Sequence, residues 1–585
     1  MKDTILVTTA LEETWPKKDE QILFLGEWCC LYANKEKWES LDYQILKYRW
    51  DDRQKLHDDY VYLLDVYEII LKELTASLNK LHGVEYSIDY WRILIGPWLM
   101  SFVAIIYERW ANLDSVLSSN KAYRTYILDQ KDENLIPNDM SEFSSFQEND
   151  EWNHYIYSKL LKISFESNSL EIINIPDLEI NANSMVSIRR NLWKRVLGRF
   201  STFFNKNTDH FLYGSRLSFF DLLKVNLNLF QFPVFYTTED LRKFNPDLNL
   251  RKWKITTSSA DSNFIKTLKD IIPFQIPKSY LEGFKVLKEI STDLGWPGKP
   301  KSIYTSTAFH DDDVFKQWTA EKCELGTPLF ISQHGGNYGQ AAFSFTEYHE
   351  LKISNSFLSW GWSREKESIN PIGSYKKQST KNLLRESEEL LFIISLYPRY
   401  SGSLLSMPIS TQVLNYLEQQ VLFCSNLKEH IKKDLVMRLY PYDYGWSVED
   451  RILETFPNIN IDKGERDFST ALNTARLVVS GWNTTTYLES LAMNKPTVIF
   501  WDPVYFELND QAKEYFKELE RVGIFHKNVS SAINHIEEIW EDVDAWWQDG
   551  EVKAVKKDFV NNYVRNNEEF VNNLIASLKS SESIR

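Results

Sequence analysis

The sequence predicts an α/β protein with parallel sheets and two domains that face each other across a cleft. The chain has 585 residues, and at about 150 residues per domain this is enough for two or more packed domains. From residue 301 onward, short apolar runs alternate with helical patterns, which is typical of a parallel sheet covered by helices on both faces. Four prolines between residues 273 and 300 precede this region and predict an interdomain linker.

The composition indicates a folded protein of a reducing compartment, which we expect to be the cytoplasm. Charged residues make up 25% of the chain, and 20 Gly with 18 Pro are ordinary for a globular protein, which excludes disorder and fibrous repeats. The net charge of −15 opposes general binding to nucleic acid. The 4 cysteines form no CxxC pair, which disfavours a zinc site or a disulfide framework. The first ten residues are too weakly apolar to predict a signal peptide.

The first domain, residues 1–290, begins with two predicted strands, residues 4–8 and 22–26. Helical patterns follow at residues 54–81 and 88–117. Residues 93–107 are continuously apolar but shorter than the roughly 20 residues of a membrane span, so we predict a buried helix. Residues 134–153 are polar and acidic and predict a surface loop.

The second domain, residues 301–545, contains the clearer strand pattern, and a helical segment, residues 546–585, follows it. Strands are predicted at residues 302–305, 328–332, 357–360, 390–395, 435–439, 477–480 and 497–501. Ligands of parallel sheets bind outside the carboxyl ends of the strands. The residues that follow these strands are therefore the candidates for a functional site.

A glycine-rich loop, Gln-His-Gly-Gly-Asn-Tyr-Gly, follows the strand at residues 328–332. Three glycines permit a tight turn with exposed backbone amides, and His334 can donate a hydrogen bond to an anion. The alternative is a structural turn with a satisfied histidine. We favour binding, because binding loops collect at strand ends.

Three threonines, Thr484, Thr485 and Thr486, begin a predicted helix directly after the strand at residues 477–480. Their hydroxyls lie beside the unpaired amides and the positive dipole end of the helix, which together can bind a phosphate. The alternative is ordinary helix capping. Glu489, in the same helix, either accepts hydrogen bonds from ribose hydroxyls or interacts with the helix dipole.

Two arginines lie in further loops at the same predicted sheet edge. Arg399 follows the strand at residues 390–395, and Arg438 ends the strand at residues 435–439. Each can neutralise a phosphate, and each can equally form a surface ion pair. Two D-x-D triplets, residues 311–313 and 542–544, are of the kind that can hold a divalent metal, but we expect them to be solvated carboxylates.

Three glutamates follow the first two strands. Glu12 and Glu13 come after the strand at residues 4–8, and Glu27 comes after the strand at residues 22–26. Carboxylates at strand ends are candidates for a general base or a nucleophile. The alternative for Glu12 is a capping box with Thr8 or Thr9.

The second half of the chain resembles the donor-binding domain of glycosyltransferases with the GT-B fold. The strongest match is residues 483–500, where a hydroxyl-rich helix start, a glutamate and a Lys-Pro-strand sequence recur at the family spacing. More narrowly, the chain resembles a bacterial family of transferases found with O-antigen and surface-carbohydrate synthesis genes. The matching segments extend over most of the chain: residues 8–12, 25–28, 90–98, 333–339, 359–362 and 482–494.

The resemblance implies two Rossmann-like domains, with a nucleotide-activated sugar on the second and a glycan or lipid-linked glycan acceptor on the first. It implies no bound metal and no cofactor, the leaving-group charge being neutralised by His334, the threonine helix start and the two arginines. Glu12, Glu13 or Glu27 would accept the acceptor proton or act as the nucleophile. The residues implied at the donor are Gly335, Gly336, Asn337, Arg399, Arg438, Asn483, Thr484, Thr485, Thr486 and Glu489; those at the acceptor are Thr8, Thr9, Trp15 and Arg92.

Three functions stay open at the level of sequence. The first is a glycosyltransferase that builds O-antigen or capsule, with CMP among the candidate nucleotides of the donor. The second is a CDP-polyol-dependent polyol-phosphate transferase, since such proteins also use a His-Gly loop and a similar C-terminal domain. The third is a non-catalytic protein that binds a glycan or a nucleotide. A lipid-linked acceptor would bring the protein to the inner face of the membrane, although no basic amphipathic anchor stands out.

Overall fold

The computed structural model describes residues 4–16, 20–118, 121–165, 169–176, 205–238, 240–365, 367–375, 388–565 and 569–580. Within these ranges the chain forms three β-sheets in which neighbouring strands are parallel, with helices between the strands. The predicted α/β class with parallel sheets is confirmed.

The first sheet has the strand order β3-β2-β1-β4-β5. Its strands are β1 (Thr4–Val7), β2 (Ile22–Phe24), β3 (Tyr43–Ile45), β4 (Tyr123–Leu128) and β5 (Leu170–Ile175). The order reverses between β1 and β4, so the loop that follows β1 lies at the switch point where open α/β sheets bind ligands.

The second sheet has the strand order β10-β9-β8-β7-β6. Its strands are β6 (Phe211–Leu212), β7 (Ile303–Thr305), β8 (Leu329–Ser332), β9 (Ser356–Ser359) and β10 (Ile369–Pro371). The helix Phe570–Ser580, near the end of the chain, returns to this sheet and packs against its apolar face.

The third sheet has the strand order β13-β12-β11-β14-β15-β16. Its strands are β11 (Leu390–Ile393), β12 (Leu435–Arg438), β13 (Asn460–Asp462), β14 (Leu477–Ser480), β15 (Thr497–Phe500) and β16 (Phe525–His526). In sequence order this is 3-2-1-4-5-6, the order of the dinucleotide-binding sheet, with its switch point between β11 and β14.

The α-helices of the described chain fill the connections between strands. They are Lys35–Trp38, Arg53–His82, Ile88–Leu117, Met140–Phe146, Asp150–Ser164, Phe219–Asn228, Asn263–Gln275, Phe284–Asp293, Ala308–Asp311, Asp313–Glu324, Phe345–Ile353, Gln412–Asn426, Glu429–Lys432, Val448–Thr455, Phe468–Thr474, Thr485–Ala492, Asp510–Arg521, Val529–Ile539, Val543–Gln548, Gly550–Tyr563 and Phe570–Ser580. Short 3-10 helices occur at Glu12–Thr14, Glu27–Cys29, Tyr32–Asn34, Arg49–Asp51, Asp132–Leu135, Leu250–Lys252, Lys278–Tyr280 and Trp540–Asp542.

The helix Ile88–Leu117 is the central helix of the first half of the chain. It contacts helices of the first sheet and the helices Asp313–Glu324 and Phe345–Ile353 of the second. Of the helices in the described ranges, it alone is long and apolar enough to cross a membrane, and 94% of its most apolar window is buried inside the protein. The prediction of a buried helix is confirmed, since apolar side chains on every face have protein partners.

One sequence-based prediction about a connecting segment is wrong, and another, the interdomain linker, stays a prediction. The predicted surface loop at residues 134–153 contains the helix Met140–Phe146 and the start of Asp150–Ser164, because Met140, Phe143 and Trp152 are buried in the core. The proline-punctuated stretch is packed rather than exposed, since Tyr280 and Phe284 are buried. Strand β6 pairs with β7 across this stretch, so the second sheet draws on both sides of the predicted linker.

Candidate functional site

Two loops singled out in the sequence meet where the second and third sheets face each other. One is the loop that follows β8, residues 333–339, and the other is the start of the helix Thr485–Ala492, which follows β14. The backbone N–H of Gly336 donates a hydrogen bond of 2.8 Å to Oγ1 of Thr485. The carboxyl ends of strands from two sheets therefore converge on one place.

The close approach of these loops depends on a glycine. A Cβ atom on Gly336 would lie 2.2 Å from the carbonyl carbon of Thr484 and 2.5 Å from the nitrogen of Thr485. The neighbouring Gly335 has room, because its Cβ would be 3.6 Å from the nearest atom, Oγ1 of Thr485. Asn337 has a φ of 62°, in the left-handed region that asparagine tolerates better than most residues. Gly336 and Gly339 both exclude a side chain, and at Gly339 the Cβ would lie 2.3 Å from the ring of Trp362.

His334 lies in this loop beside a buried carboxyl group and a buried tyrosine. Its Nδ1 is 3.9 Å from Oε2 of Glu350, and its Nε2 is 3.4 Å from the hydroxyl of Tyr338. That hydroxyl donates a 2.5 Å hydrogen bond to Oε1 of Glu350. Within the described residues, Nδ1 of His334 and Oε2 of Glu350 have no hydrogen-bond partner. The imidazole keeps 24% of its surface exposed, so it is both positioned and accessible.

The surroundings keep His334 uncharged at neutral pH and favour the neutral form of Glu350. Burial lowers the pKa of His334 to about 4, and the charges of Arg216 and His310 lower it further. Burial raises the pKa of Glu350 well above its ordinary value. A neutral imidazole has a nitrogen that can accept a proton, but it cannot neutralise an anion by charge. Its remaining N–H can still donate a hydrogen bond to an anion, so the role of His334 at the leaving group stays a prediction that rests on hydrogen bonding rather than on charge.

Sequence reasoning missed four residues around His334. Arg216 lies in the loop after β6 and His310 in the helix that follows β7, while Tyr338 and Glu350 come from the His334 loop and the next helix. The strand-end rule could have found His310 after the predicted strand at residues 302–305, and Arg216 had β6 been recognised. Glu350 could not have been found, because only packing brings its carboxyl group to the imidazole.

The start of the helix Thr485–Ala492 has polar groups with unused hydrogen-bonding capacity. The hydroxyls of Thr484 and Thr486 are 3.2 Å apart, and Thr484 precedes the helix without capping it through its side chain. Asn483 is 1% exposed, its Oδ1 is 3.0 Å from the hydroxyl of Tyr487, and its Nδ2 has no partner in the described chain. Glu489 is half-buried in the second turn.

A cavity of about 720 Å³ lies beyond the carboxyl end of β15, and its lining includes neither His334 nor the threonines of the helix start. Aromatic side chains, among them Phe343, Trp501 and Phe506, line it together with Arg53 and Lys513. The backbone that follows the His334 loop forms one wall, where Ala342 N–H donates to the carbonyl of Glu507 at 2.9 Å. Its volume is in the range of small-molecule sites.

The three predicted catalytic glutamates differ in their surroundings. Glu12 pairs with Lys37 at 2.7 Å and accepts a hydrogen bond from Asn34, and Glu13 is exposed. Burial raises the pKa of Glu27, and the nearby carboxylates of Asp51 and Glu418 raise it further, against the opposing charge of Arg451. None of these contacts belongs to the His334 group, so Glu27 lies in a different environment from the loop junction.

The residues predicted to bind an acceptor do not form a common surface. Thr8 and Thr9 are buried, and Trp15 packs edge-on against Phe24 with a ring distance of 5.5 Å. Arg92 is buried in a two-pronged ion pair with Glu68, at 2.7 and 2.8 Å. Their positions are explained by packing, and the guanidinium of Arg92 is already paired.

The two predicted phosphate-binding arginines are also paired within the protein. Arg399 bonds Asp150 at 2.7 Å and the carbonyl oxygen of Trp28 at 2.5 Å, which joins the third sheet to the first. Arg438 bonds Asp462 at 2.7 Å and the carbonyl oxygen of Arg466. Each guanidinium is thus occupied by protein partners, and the assignment of both arginines to a donor phosphate stays a prediction.

We expect Arg399→Ala to destabilise the protein by about 3–5 kcal/mol, because it leaves the Asp150 carboxylate without its buried partner. The measurement is the midpoint of thermal unfolding, with Arg521→Ala as the control. Arg521 is about half exposed and pairs with Glu518 at the surface, where water and salt screen an ion pair so that its loss changes stability little. Unchanged unfolding combined with lost nucleotide binding would support the donor-binding assignment.

The acidic triplet at residues 311–313 is engaged by protein groups. Asp312 accepts hydrogen bonds from Tyr213 and Thr238, and Asp313 is buried with Lys316 at 2.8 Å. In the second triplet, Asp542 caps the helix Val543–Gln548. The described residues contain no group of three or more His, Cys, Asp or Glu side chains arranged to hold a metal ion.

Comparison with known proteins gives one informative match. No curated protein matches the chain. A TarM variant from S. aureus, crystallised with fondaparinux, α-GlcNAc-glycerol and UDP, is 12% identical over 48% of this chain and 56% of that chain, with a TM-score of 0.31. The wall teichoic acid polymerase TagF is 9% identical over 67% of this chain and 94% of that chain, with a TM-score of 0.31. From similarities at this level we draw no inference about the fold or the reaction. The profile described as LIC12162 family transferase matches residues 4–578, and this chain therefore belongs to that family of transferases.

Proposed function

We propose that this transferase is a glycosyltransferase of the GT-B type, which moves a sugar from a nucleotide-activated donor to a hydroxyl of a surface polysaccharide such as O-antigen or capsule. The observation that carries the proposal is the contact of Gly336 with Thr485. It brings a neutral imidazole and the amino-terminal end of a helix together at the carboxyl ends of two parallel sheets. Group transfer from an activated donor needs a group that binds the donor phosphates and a group that accepts the acceptor proton, and both must lie in one place.

The helix start supports binding of the donor phosphates. Free backbone N–H groups and the positive dipole end attract a phosphate at the first turn of a helix. The hydroxyls of Thr484 and Thr486 and the unpaired Nδ2 of Asn483 add donors that carry no charge. The third sheet has the dinucleotide-binding strand order, and this turn lies at its switch point. We assign the donor diphosphate to this turn, with Glu489 within one helical turn of it.

His334 supports the second half of the reaction, the removal of the acceptor proton. Its pKa, lowered to about 4 by burial, leaves the imidazole unprotonated at neutral pH, and it accepts a proton effectively only when the charge that it gains is stabilised. The imidazolium that forms would have Glu350 as its nearest carboxyl group. We therefore assign the base to His334 in preference to Glu12, Glu13 and Glu27, and we assign Glu350 the positioning of the ring.

The nucleotide can be identified by thermal unfolding with CMP, CDP, UDP, GDP and dTDP, each with and without magnesium. A ligand at a hundred times its dissociation constant stabilises the folded state by about 2.7 kcal/mol. We expect one nucleotide to raise the unfolding midpoint and Thr485→Val to reduce that rise, because the variant disturbs the helix start. Thr474→Val, on the exposed face of another helix, is the matched control.

Two results would contradict the proposal. If no nucleotide raises the unfolding midpoint, the assignment of the helix start to a donor phosphate fails. If the acceptor product carries phosphate, the reaction is polyol-phosphate transfer rather than glycosyl transfer. The four free cysteines agree with a cytoplasmic site of action, which we propose together with the reaction.

A further inference from the structure

A group of large apolar side chains is exposed along the outer side of the second sheet. It comprises Phe219, Phe220, Leu227, Phe230, Phe232 and Phe235, which we call the phenylalanine surface. Phe220 is 75% exposed and Phe230 is 84% exposed. The rings of Phe219 and Phe235 stack in parallel at 5.4 Å, and Phe219 contacts Phe220. Contiguous exposed apolar groups of this kind mark interaction surfaces, whereas single ones are ordinary.

The helix Phe219–Asn228 carries much of this surface and is apolar on two sides. Its inner side packs Val225 into a cluster with Leu574 and Leu578 of the helix near the end of the chain. Its outer side presents Phe220 and Leu227, which are seven residues apart and so lie on one face. Within the described residues, the apolar side chains on the inner side of this helix are therefore buried, whereas those on its outer side are exposed to solvent.

Lysines flank the phenylalanine surface. Lys206 and Lys579 line a pocket of about 340 Å³ together with Phe230, and Asp209 lies in the same pocket. The Nζ of Lys579 lies 5.3 Å from the centre of the Phe230 ring. Lys224 is exposed on the helix itself. In a chain of net charge −15, this local basic group is complementary to a negatively charged partner.

We propose that the phenylalanine surface docks on an anionic lipid bilayer, with the phenyl rings in the interface and the flanking lysines on lipid phosphates. Aromatic rings and basic side chains on one face are the combination that holds proteins to the plane of a membrane. The bilayer, rather than a second copy of the chain, fits the charge, because a copy carries the same lysines on the same face.

The phenylalanine surface begins next to the candidate site. Arg216 precedes Phe219 by three residues, and its charge acts on His334. Docking would therefore hold the His334 loop close to the lipid headgroups. An acceptor that is a glycan anchored to a lipid would fit this placement, a step that rests on the proposed glycosyl transfer, whereas the docking itself does not.

The test is flotation of the full chain with vesicles of phosphatidylcholine alone and of phosphatidylcholine mixed with phosphatidylglycerol. We expect binding to the anionic vesicles, weakened by salt, and a loss of at least about tenfold in Phe220→Ser/Phe230→Ser. The control is Val61→Ser/Ile69→Ser, which removes two exposed apolar side chains from the helix Arg53–His82 and should leave binding unchanged.

Three results would overturn the docking proposal. The first is a wild-type protein that does not float with anionic vesicles, and the second is equal binding by wild type and Phe220→Ser/Phe230→Ser. The third is a dimer in sedimentation that only this variant dissociates, which would make the surface a contact between copies. His334→Gln separates the two proposals, because it should float like the wild type even if glycosyl transfer proves to be the wrong reaction.

Discussion

Replacing His334 by glutamine is expected to lower kcat by about 10²–10⁴-fold while nucleotide binding is retained, because the variant keeps the loop but has no nitrogen that can accept a proton. The loop contact through Gly336 and Thr485 involves backbone and hydroxyl groups, so it should persist. Turnover and the nucleotide-induced shift of the unfolding midpoint are the two measurements. His430→Gln, at an exposed position outside the site, is the control.

The pH profile gives an independent check on the same residue. The unprotonated imidazole is present above its pKa of about 4, so kcat/KM should stay level from neutral pH downward and fall only as pH approaches that value. An acid limb near 6.5, the ordinary value for histidine, would contradict the buried, neutral imidazole described above. Full activity of His334→Gln would remove His334 from the mechanism and return Glu27 to consideration.

Replacing Gly336 by valine is expected to abolish measurable transfer and to lower stability by about 1–3 kcal/mol, since an overpacked contact must open. The added Cβ would lie within 2.5 Å of backbone atoms of Thr484 and Thr485. These backbone atoms cannot rotate away as the end of a flexible side chain could. The second and third sheets would then be held apart at the place where donor and base meet. Turnover and the thermal unfolding midpoint measure the two effects.

Gly335→Ala is the matched control for this change. It adds a methyl group one residue away, 3.6 Å from the nearest atom, and should leave both activity and stability close to those of the wild type. If Gly336→Val and Gly335→Ala behaved alike, the junction of the two loops would not be needed for transfer. Loss of stability with full activity in Gly336→Val would contradict the proposal in the same way.

Strands and their loops were the features most open to prediction from sequence. Runs such as Leu477–Ser480 and Thr497–Phe500 are buried throughout and have three consecutive apolar residues each, because both faces of a parallel sheet are covered, so the pattern itself indicates the element. The same rule pointed to the loops of His334 and Thr485 as neighbours of strand ends. The short strand Phe211–Leu212 gives too little pattern to be recognised, and Arg216 was missed with it.

Charged side chains were the least predictable. The sequence predicts three arginines at a substrate. Arg399 and Arg438 lie at predicted strand ends, and Arg92 lies in a segment that resembles the transferase family. Each is paired instead, with Glu68, Asp150 and Asp462 for Arg92, Arg399 and Arg438 respectively. An arginine forms an ion pair with the carboxylate that folding brings into contact with it. For Arg399 that carboxylate belongs to Asp150, which lies 249 residues away in the chain.

The sequence by itself determined the α/β class, the positions of most strands, the buried central helix and the two loops that carry the candidate chemistry, because these follow from local periodicity and from residue type at strand ends. Only the tertiary structure decided that the strands form three sheets, that Gly336 meets Thr485, and that Glu350 lies beside His334. The physical reason is that the periodicity of a segment specifies its own hydrogen bonding and burial, whereas partners in space depend on the packing of faces that are far apart in the chain.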